Sequence, residues 1–486
     1  MQLRPLPKHQ EMTCGTCEGA WGMTKRIGSI FLLALVVRVL YNVIVAAGYT
    51  PLHDSLTYQT IALNILHEHC YCLQPHLSTV DRAPLWPVLI AIVYRLFGQH
   101  DIVVRLLLCV VGSCTCGLLY LFTKALFGKR TGLVAGITGA IYPFLFMYDG
   151  LLYSESLYIA LLLALCYTLY HLQRSPRTSL MALSALLITL LSYTRPNGIA
   201  FLPMFALWLL ILGWRKEITW HTVRKSVMLV TLLTLVLLAP WTLRNFKDTH
   251  TLLPIATGDG KVLLGAYNYE TADPVYQDGY YAGIWIIPTE ATPWIPAHFP
   301  QACPASCEVK RDTAYKAAAL QWLQENSPDI PYLLSQHFIN IWQVVPQEAD
   351  LAINRFPDRS SSAFVVLMME TMTPLLFALG LLGLVITRRR WRELLFVYLV
   401  VLMTLAECLA LYGSARFRAP IEPLIILSAS GALCWLANSA TVLKNRLMKR
   451  YEEQNKLSLP GDKNIQEPSE DVALEPVLAT KSTRVW

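Results

Sequence analysis

Long apolar runs of about 17–25 residues recur along this chain, a length that crosses a bilayer core as helix. They fall at roughly 27–49, 102–123, 131–148, 152–170, 179–194, 196–213, 224–240, 362–386, 392–412 and 419–437, ten in all. The runs are continuous rather than alternating, so a closed barrel is excluded. A further apolar segment, 84–97, is shorter and suits an interfacial or re-entrant helix better than a span. The polar stretches between runs are uneven. A loop at 50–101 follows the first run, tight turns surround 149–155, 194–197 and 413–418, and one long insert covers 241–361. Within the insert, 311–325 and 330–344 predict two amphipathic helices split by Ser327-Pro328. The tail after Tyr451 is rich in Glu, Lys, Pro and Ser and reads as disordered. No internal repeat is visible in the sequence.

Composition agrees with the pattern. Of 486 residues, 54% are hydrophobic and 15% charged, and the mean hydropathy is +0.42. The expected fold class is an all-α polytopic membrane protein with about ten transmembrane helices. The formal net charge of +7 does not point to nucleic acid, because the basic residues sit in short loops where they set membrane orientation. With ten spans and 84–97 left uncounted, the basic loops 124–130, 171–177, 214–225, 388–392 and 444–450 all fall on the cytoplasmic side with Lys25 and Arg26. The expected organisation follows. A cytoplasmic segment at 1–26 precedes a catalytic transmembrane module at 27–240, whose first outer loop is 50–101. An extracytoplasmic insert at 241–361, carboxy-terminal helices at 362–440 and a cytoplasmic tail at 441–486 complete the chain. Val45-Ala46-Ala47 resembles a signal-peptidase site. The first run is long for a signal sequence and carries Arg38, so an uncleaved anchor is expected.

The outer polar pieces hold the candidate chemistry. Asp54 sits where the chain leaves the first span, where a carboxylate can act as a general base or cap the following helix. Arg82 opens the short apolar segment. Its planar fork suits a phosphate, and an interfacial anchor beside Trp86 is the competing reading. Glu155, with Asp149 just before it, could orient a sugar hydroxyl, a cationic acceptor or a divalent metal, or simply cap its helix. Arg195, Arg244, Arg416 and Arg418 lie on the outer side against the usual inward bias of basic residues, which points to an anionic ligand. Arg38 and Glu407 fall within spans, where a charge costs about 2.5–3.5 kcal/mol or more. Each should therefore have a partner, and a mutual ion pair, structural in role, is one arrangement open to them. Of the twelve cysteines, Cys109, Cys114, Cys116, Cys166, Cys408 and Cys434 lie in apolar runs and read as packing residues. Cys14 and Cys17 form a lone Cys-x-x-Cys, weak evidence for metal or redox work. Cys303 and Cys307, together with Cys70 and Cys72, are disulfide candidates if their loops face an oxidising compartment, with the pairing open.

Taken in order, these motifs resemble the C-type membrane glycosyltransferases, in particular the branch of protein O-mannosyltransferases and aminoarabinose transferases. The resemblance covers roughly 27–440. It rests on Asp54 after the first span, on Arg82 to Pro87 followed by LIAIVYRLFG, and on Tyr142-Pro143 running on to Glu155. Thr-Arg-Pro-Asn-Gly at 194–198, Pro-Trp-Thr-Leu-Arg-Asn at 240–245 and Arg-Phe-Arg-Ala-Pro-Ile-Glu-Pro at 416–423 complete it. The acidic pair characteristic of protein O-mannosyltransferases is here Asp54 followed by Ser55.

The resemblance implies inverting transfer of a sugar from a polyprenyl or dolichyl phosphate to an acceptor glycan, lipid or protein on the extracytoplasmic face. It implies Asp54 as catalytic base, Arg82 on the donor phosphate, Glu155 toward sugar or acceptor, and Arg244 and Arg416 as further phosphate ligands. No cofactor is implied with certainty, and a divalent metal is left open. The setting is a bacterial plasma membrane or the endoplasmic reticulum, with membrane lipids as partners and no nucleic acid. The alternative is a transporter or lipid flippase, which would place polar groups near the midplane and often shows inverted repeats.

Overall fold

The computed structural model describes residues 18–273, 285–288, 299–300, 302–346 and 359–458. Among them the only sheet is a hairpin in the first loop, pairing Cys72–Gln74 with Leu77–Ser78. The remaining regular structure is helical.

Seven stretches are long and apolar enough to cross a membrane: Gly22–Val45, Asp101–Phe127, Glu155–Arg174, Pro196–Trp214, Trp220–Thr249, Ala363–Ala410 and Ala415–Tyr451. Lys129–Ile141 and Pro143–Gly150 add an eighth, bent by 69° where Pro143 interrupts the backbone bonding. Ala363–Ala410 holds 48 residues, which as straight helix would measure on the order of 70 Å, over twice a bilayer core. It breaks at Arg388–Arg390. Its two halves run in opposite senses. Gly380 and Gly383 descend along Ile425 and Ser428, whereas Glu393 pairs with Arg174 and Glu407, near the other end, meets Asn197. Gly383 lies against the Ser428 backbone so closely that a side chain there would collide with it. The shorter Thr178–Thr194 helix runs alongside Trp220–Thr249, with Tyr193 donating to the Leu237 carbonyl at 2.7 Å. Seven stretches, or eight with the bent pair, are thus long and apolar enough to cross, and Thr178–Thr194 is a shorter apolar helix among the described residues.

Several boundaries move. Trp220–Thr249 continues past the expected end at 240, with Pro240 inside the helix and Asn245 and Thr249 buried beyond it. The insert helices run over Ala305–Glu325 and Ile330–Ile341. The last helix, Glu422–Ser458, overruns the expected disordered tail at 441. The chain divides into compact units at Cys434/Trp435, and the second unit is helical through Ser458. Cys14, Cys17 and residues 459–486 lie outside the described residues.

Each of the two charges within the spans finds a different partner. Arg38 does not pair with Glu407. Its Nε lies 2.8 Å from Asp149 Oδ2, and both side chains are fully buried. The bend after Pro143 carries Asp149 into the bundle beside the first helix, while Glu407 sits at the end of its helix and accepts from Asn197 at 3.0 Å. The Arg38 guanidinium also reaches the Ala140 and Leu145 carbonyls and Cys116 Sγ. Asn42 donates to Cys109 Sγ at 3.2 Å and accepts from Arg105 Nε at 2.8 Å. Two of the intramembrane cysteines therefore accept hydrogen bonds as well as pack.

Candidate active site

Four of the five residues expected to carry chemistry meet in one ion-pair chain. Asp54 is the first residue of the Asp54–His67 helix, but it is not its cap. His53 holds that position at φ 50°, without a side-chain cap bond. The Asp54 carboxylate instead accepts from Arg82 Nη2 at 2.9 Å through Oδ1 and from Arg416 Nη2 at 2.8 Å through Oδ2. Arg416 Nε also contacts Glu155 Oε1, so one guanidinium bridges the two carboxylates. Arg195 Nη1 approaches the same Glu155 oxygen at 3.5 Å. Arg82 Nη1 is held by Asp81 Oδ2 at 2.8 Å.

Separate elements supply these groups, each at a helix start or a turn. Arg82 precedes the Leu85–Phe97 helix, which buries Trp86, Ile90 and Tyr94 and leaves Ile92, Leu96 and Phe97 exposed. Glu155 begins the Glu155–Arg174 helix and is fully buried. Arg416 lies on the single turn Ala415–Arg418, where the Ser414 hydroxyl accepts the Arg416 N–H at 3.1 Å. Gly413 lets that turn sit against the His337 carbonyl, leaving no room for a side chain. The Arg416 guanidinium covers the Tyr153 ring at 4.0 Å, and Arg82 lies 5.9 Å from the Tyr58 ring centre.

The electrostatics are lopsided. Burial alone would raise the Asp54 pKa, but Arg416 and Arg82 outweigh it and hold the carboxyl well below its ordinary range. Burial likewise opposes the charge on Arg82, and Asp81 and Asp54 more than restore it. Within this cluster two buried atoms have no hydrogen-bond partner among the described residues, Glu155 Oε2 and Arg82 Nε. One is an open acceptor and the other an open donor, and buried groups of this kind generally find a partner.

Arg244, the fifth candidate, stands outside the chain of ion pairs. It donates to the Thr79 carbonyl at 2.7 Å and the Tyr71 carbonyl at 3.1 Å, and pairs with Asp248 at 3.3 Å. Arg418 is fully buried against Glu422, with Nη1 on the Ile341 and Gln343 carbonyls. Disulfides join Cys70 to Cys72 and Cys303 to Cys307. Sequence reasoning passed over Lys261, on the Asp259–Ala266 helix of the insert. Loss of solvent lowers its pKa, and Asp81 partly restores it, with Arg82 and Asp54 also acting on it. Nothing local distinguishes this lysine, because the acids it faces belong to the first loop.

Among the described residues no three His, Cys, Asp or Glu side chains converge as a metal-binding group, and Asp54 and Glu155 are both engaged by Arg416.

A profile of the dolichyl-phosphate-mannose-protein mannosyltransferase family matches residues 81–243, about a third of the chain. The match contains Arg82, Glu155 and Arg195 and stops one residue short of Arg244. No curated protein matches the sequence. Among solved structures, the archaeal oligosaccharyltransferase AglB from Archaeoglobus fulgidus, in complex with an inhibitory peptide and a dolichol-phosphate, superposes with a TM-score of 0.52 at 14% identity, over 92% of this chain and 53% of that one. The chain has the fold of the C-type membrane glycosyltransferases. The same archaeal enzyme tethered to an acceptor peptide gives a TM-score of 0.50 at 13% identity, over 88% of this chain and 51% of that one. The chain thus spans about half the length of the archaeal enzyme it matches. ArnT from Cupriavidus metallidurans, bound to undecaprenyl phosphate, aligns over 88% of this chain and 80% of that one at 13% identity, with a TM-score of 0.38.

Proposed function

We propose that this multi-pass membrane protein transfers a sugar from a polyprenyl or dolichyl phosphate to an acceptor on the extracytoplasmic face. The observation that carries the reading is Arg416 bridging Asp54 and Glu155 while Arg82 holds the other Asp54 oxygen. The archaeal oligosaccharyltransferase of the same fold was captured with dolichol-phosphate, which supports a lipid-phosphate ligand here.

In this reading the phosphate oxygens take the guanidiniums of Arg82 and Arg416. Fixed positive donors stabilise the departing lipid phosphate. Asp54 then loses its counter-ions, and its pKa climbs back toward the ordinary carboxylate range. The group that is a weak base at rest becomes able to accept the proton of the attacking acceptor. The acceptor atom bonds to the anomeric carbon as the bond from that carbon to the phosphate oxygen breaks, and a single displacement inverts the centre. Glu155 Oε2, with no protein partner among the described residues, accepts a hydroxyl or amine of the sugar or acceptor. The apolar flank of Leu85–Phe97 offers the lipid chain a path in the bilayer.

The test incubates purified protein with radiolabelled polyprenyl-phosphate sugars and a panel of glycan, lipid and peptide acceptors. Transfer with any pair, lost in Asp54→Asn, supports the proposal. Movement of the labelled lipid between leaflets without transfer to any acceptor would replace it with the flippase reading.

A further inference from the structure

The segment that presents Arg82 is clamped from the insert. Glu308 lies in the first turns of Ala305–Glu325, one residue after Cys307 of the Cys303–Cys307 disulfide. It is 5% exposed. Its carboxylate accepts the Thr79 hydroxyl at 2.8 and 3.0 Å and the Val80 N–H at 2.8 Å, across 229 residues of sequence. Thr79 Oγ1 in turn accepts the Asp81 N–H at 3.2 Å, and Asp81 Oδ2 holds Arg82 Nη1 at 2.8 Å. Two further contacts fix the same strand of chain: Arg244 on the Thr79 carbonyl at 2.7 Å and the Thr257 N–H on the Val80 carbonyl at 2.8 Å.

The chemistry of the relay requires an acceptor at its head. An ionised carboxylate only accepts, so the Thr79 hydroxyl must donate to it, which leaves the Thr79 lone pairs for the Asp81 N–H. A glutamine could satisfy Val80 with its carbonyl, but its NH₂ would then face Thr79 Oγ1 as a donor. It would compete with Asp81 for the same lone pairs. Burial pushes the Glu308 carboxyl up, and the Val80 N–H and Thr79 hydroxyl pull it back. A buried charge is costly unless its hydrogen bonds are made, and here both oxygens are used.

We infer that Glu308 is a positioning residue for the donor phosphate: it acts through Thr79, Val80 and Asp81 to set where the Arg82 guanidinium stands. The insert is then part of the donor site. The inference rests on the donor-phosphate reading of Arg82.

The experiment uses the full chain in nanodiscs, with undecaprenyl phosphate and dolichyl phosphate as probes. Wild type, Arg82→Ala, Glu308→Gln, Glu308→Asp and Thr79→Val are compared for affinity, thermal unfolding and hydrogen exchange over 77–83. Glu308→Gln is expected to weaken binding roughly tenfold to a hundredfold, the size of a lost charge-assisted hydrogen bond, and to speed exchange over 77–83. Thr79→Val breaks the same relay from its other side, so it should give a similar loss, and the double variant should be little worse than either single one. Should Glu308→Gln fail to fold, Thr79→Val and Glu308→Asp carry the comparison. Unchanged affinity and exchange in folded Glu308→Gln or Thr79→Val, beside a weakened Arg82→Ala, would overturn the inference alone. Wild type that binds neither lipid phosphate, or binding untouched in Arg82→Ala, would overturn the donor-site reading and the inference with it.

Discussion

Asp54 gives one oxygen to each of two arginines, and a third arginine reaches Glu155, so the resting site is a closed set of ion pairs. Asparagine at 54 keeps the shape and removes the charge. Since His53, not Asp54, occupies the cap position, the helix start loses nothing by the exchange. Asp54→Asn should lower single-turnover transfer at saturating donor by roughly 10²–10⁴-fold while donor binding persists. Near-normal turnover would remove Asp54 as the base. Arg82 makes a different prediction, because its work is in binding. Arg82→Ala should weaken lipid-phosphate affinity by about tenfold to several hundredfold. Arg82→Lys should recover only part, since an ammonium lacks the planar fork that can hold Asp81 and a phosphate together. An isothermal titration with undecaprenyl phosphate reads both variants. Equal affinity in all three proteins would leave Arg82 as an interfacial anchor.

Among elements, the contact that decides the most is Arg38 with Asp149. It ties the first helix to the turn after Pro143, a few residues before Glu155. Removing one partner strands the other in a buried site. Arg38→Met should therefore cost about 3–5 kcal/mol, and Arg38→Met with Asp149→Leu should recover much of it, because a buried pair is often replaceable by apolar side chains. Thermal unfolding in detergent of the two single variants and the double variant measures this. A double variant as unstable as the sum of the singles would show that the pair itself, not its breakage, holds the turn. The long helices were legible from hydropathy alone, because burial in lipid demands continuous apolar runs. Their ends were less so. Trp220–Thr249 and Glu422–Ser458 continue through polar residues that a hydropathy window treats as loop. The outer carboxylates and arginines could be read from local motifs near helix starts. Which of them meet could not be read. Arg416 and Asp54 are 362 residues apart, and Glu308 and Thr79 are 229 apart. Such pairings are products of helix packing. Arg244, with a motif as clear as that of Arg416, turned instead to the backbone of the first loop.

At the scale of the molecule, the two ends of the bundle differ in kind. Asp54, Glu155, Arg195 and Arg416 gather where Glu155–Arg174 begins and Thr178–Thr194 ends. At the opposite end of the same helices, Arg174 pairs with Glu393 at 3.1 Å, Arg392 with Glu217 at 2.8 Å, and Arg390 donates to the Leu126 carbonyl. The second end holds the short basic loops that stay in the cytoplasm under the positive-inside rule. Under that rule the site end is expected to face outward, where the Cys303–Cys307 disulfide would also be at home. This predicts an outward insert and a cytoplasmic carboxy terminus. Intact cells carrying Ser469→Cys would be reduced gently and treated with a membrane-impermeant maleimide, and the labelled peptides mapped. Cys303 and Cys307 should label before permeabilisation, and the cysteine at 469 only after it. The reverse pattern would turn the bundle over. A sugar donor on the outer leaflet could then no longer reach Asp54, and the transferase would have to draw its substrate from the cytoplasmic side.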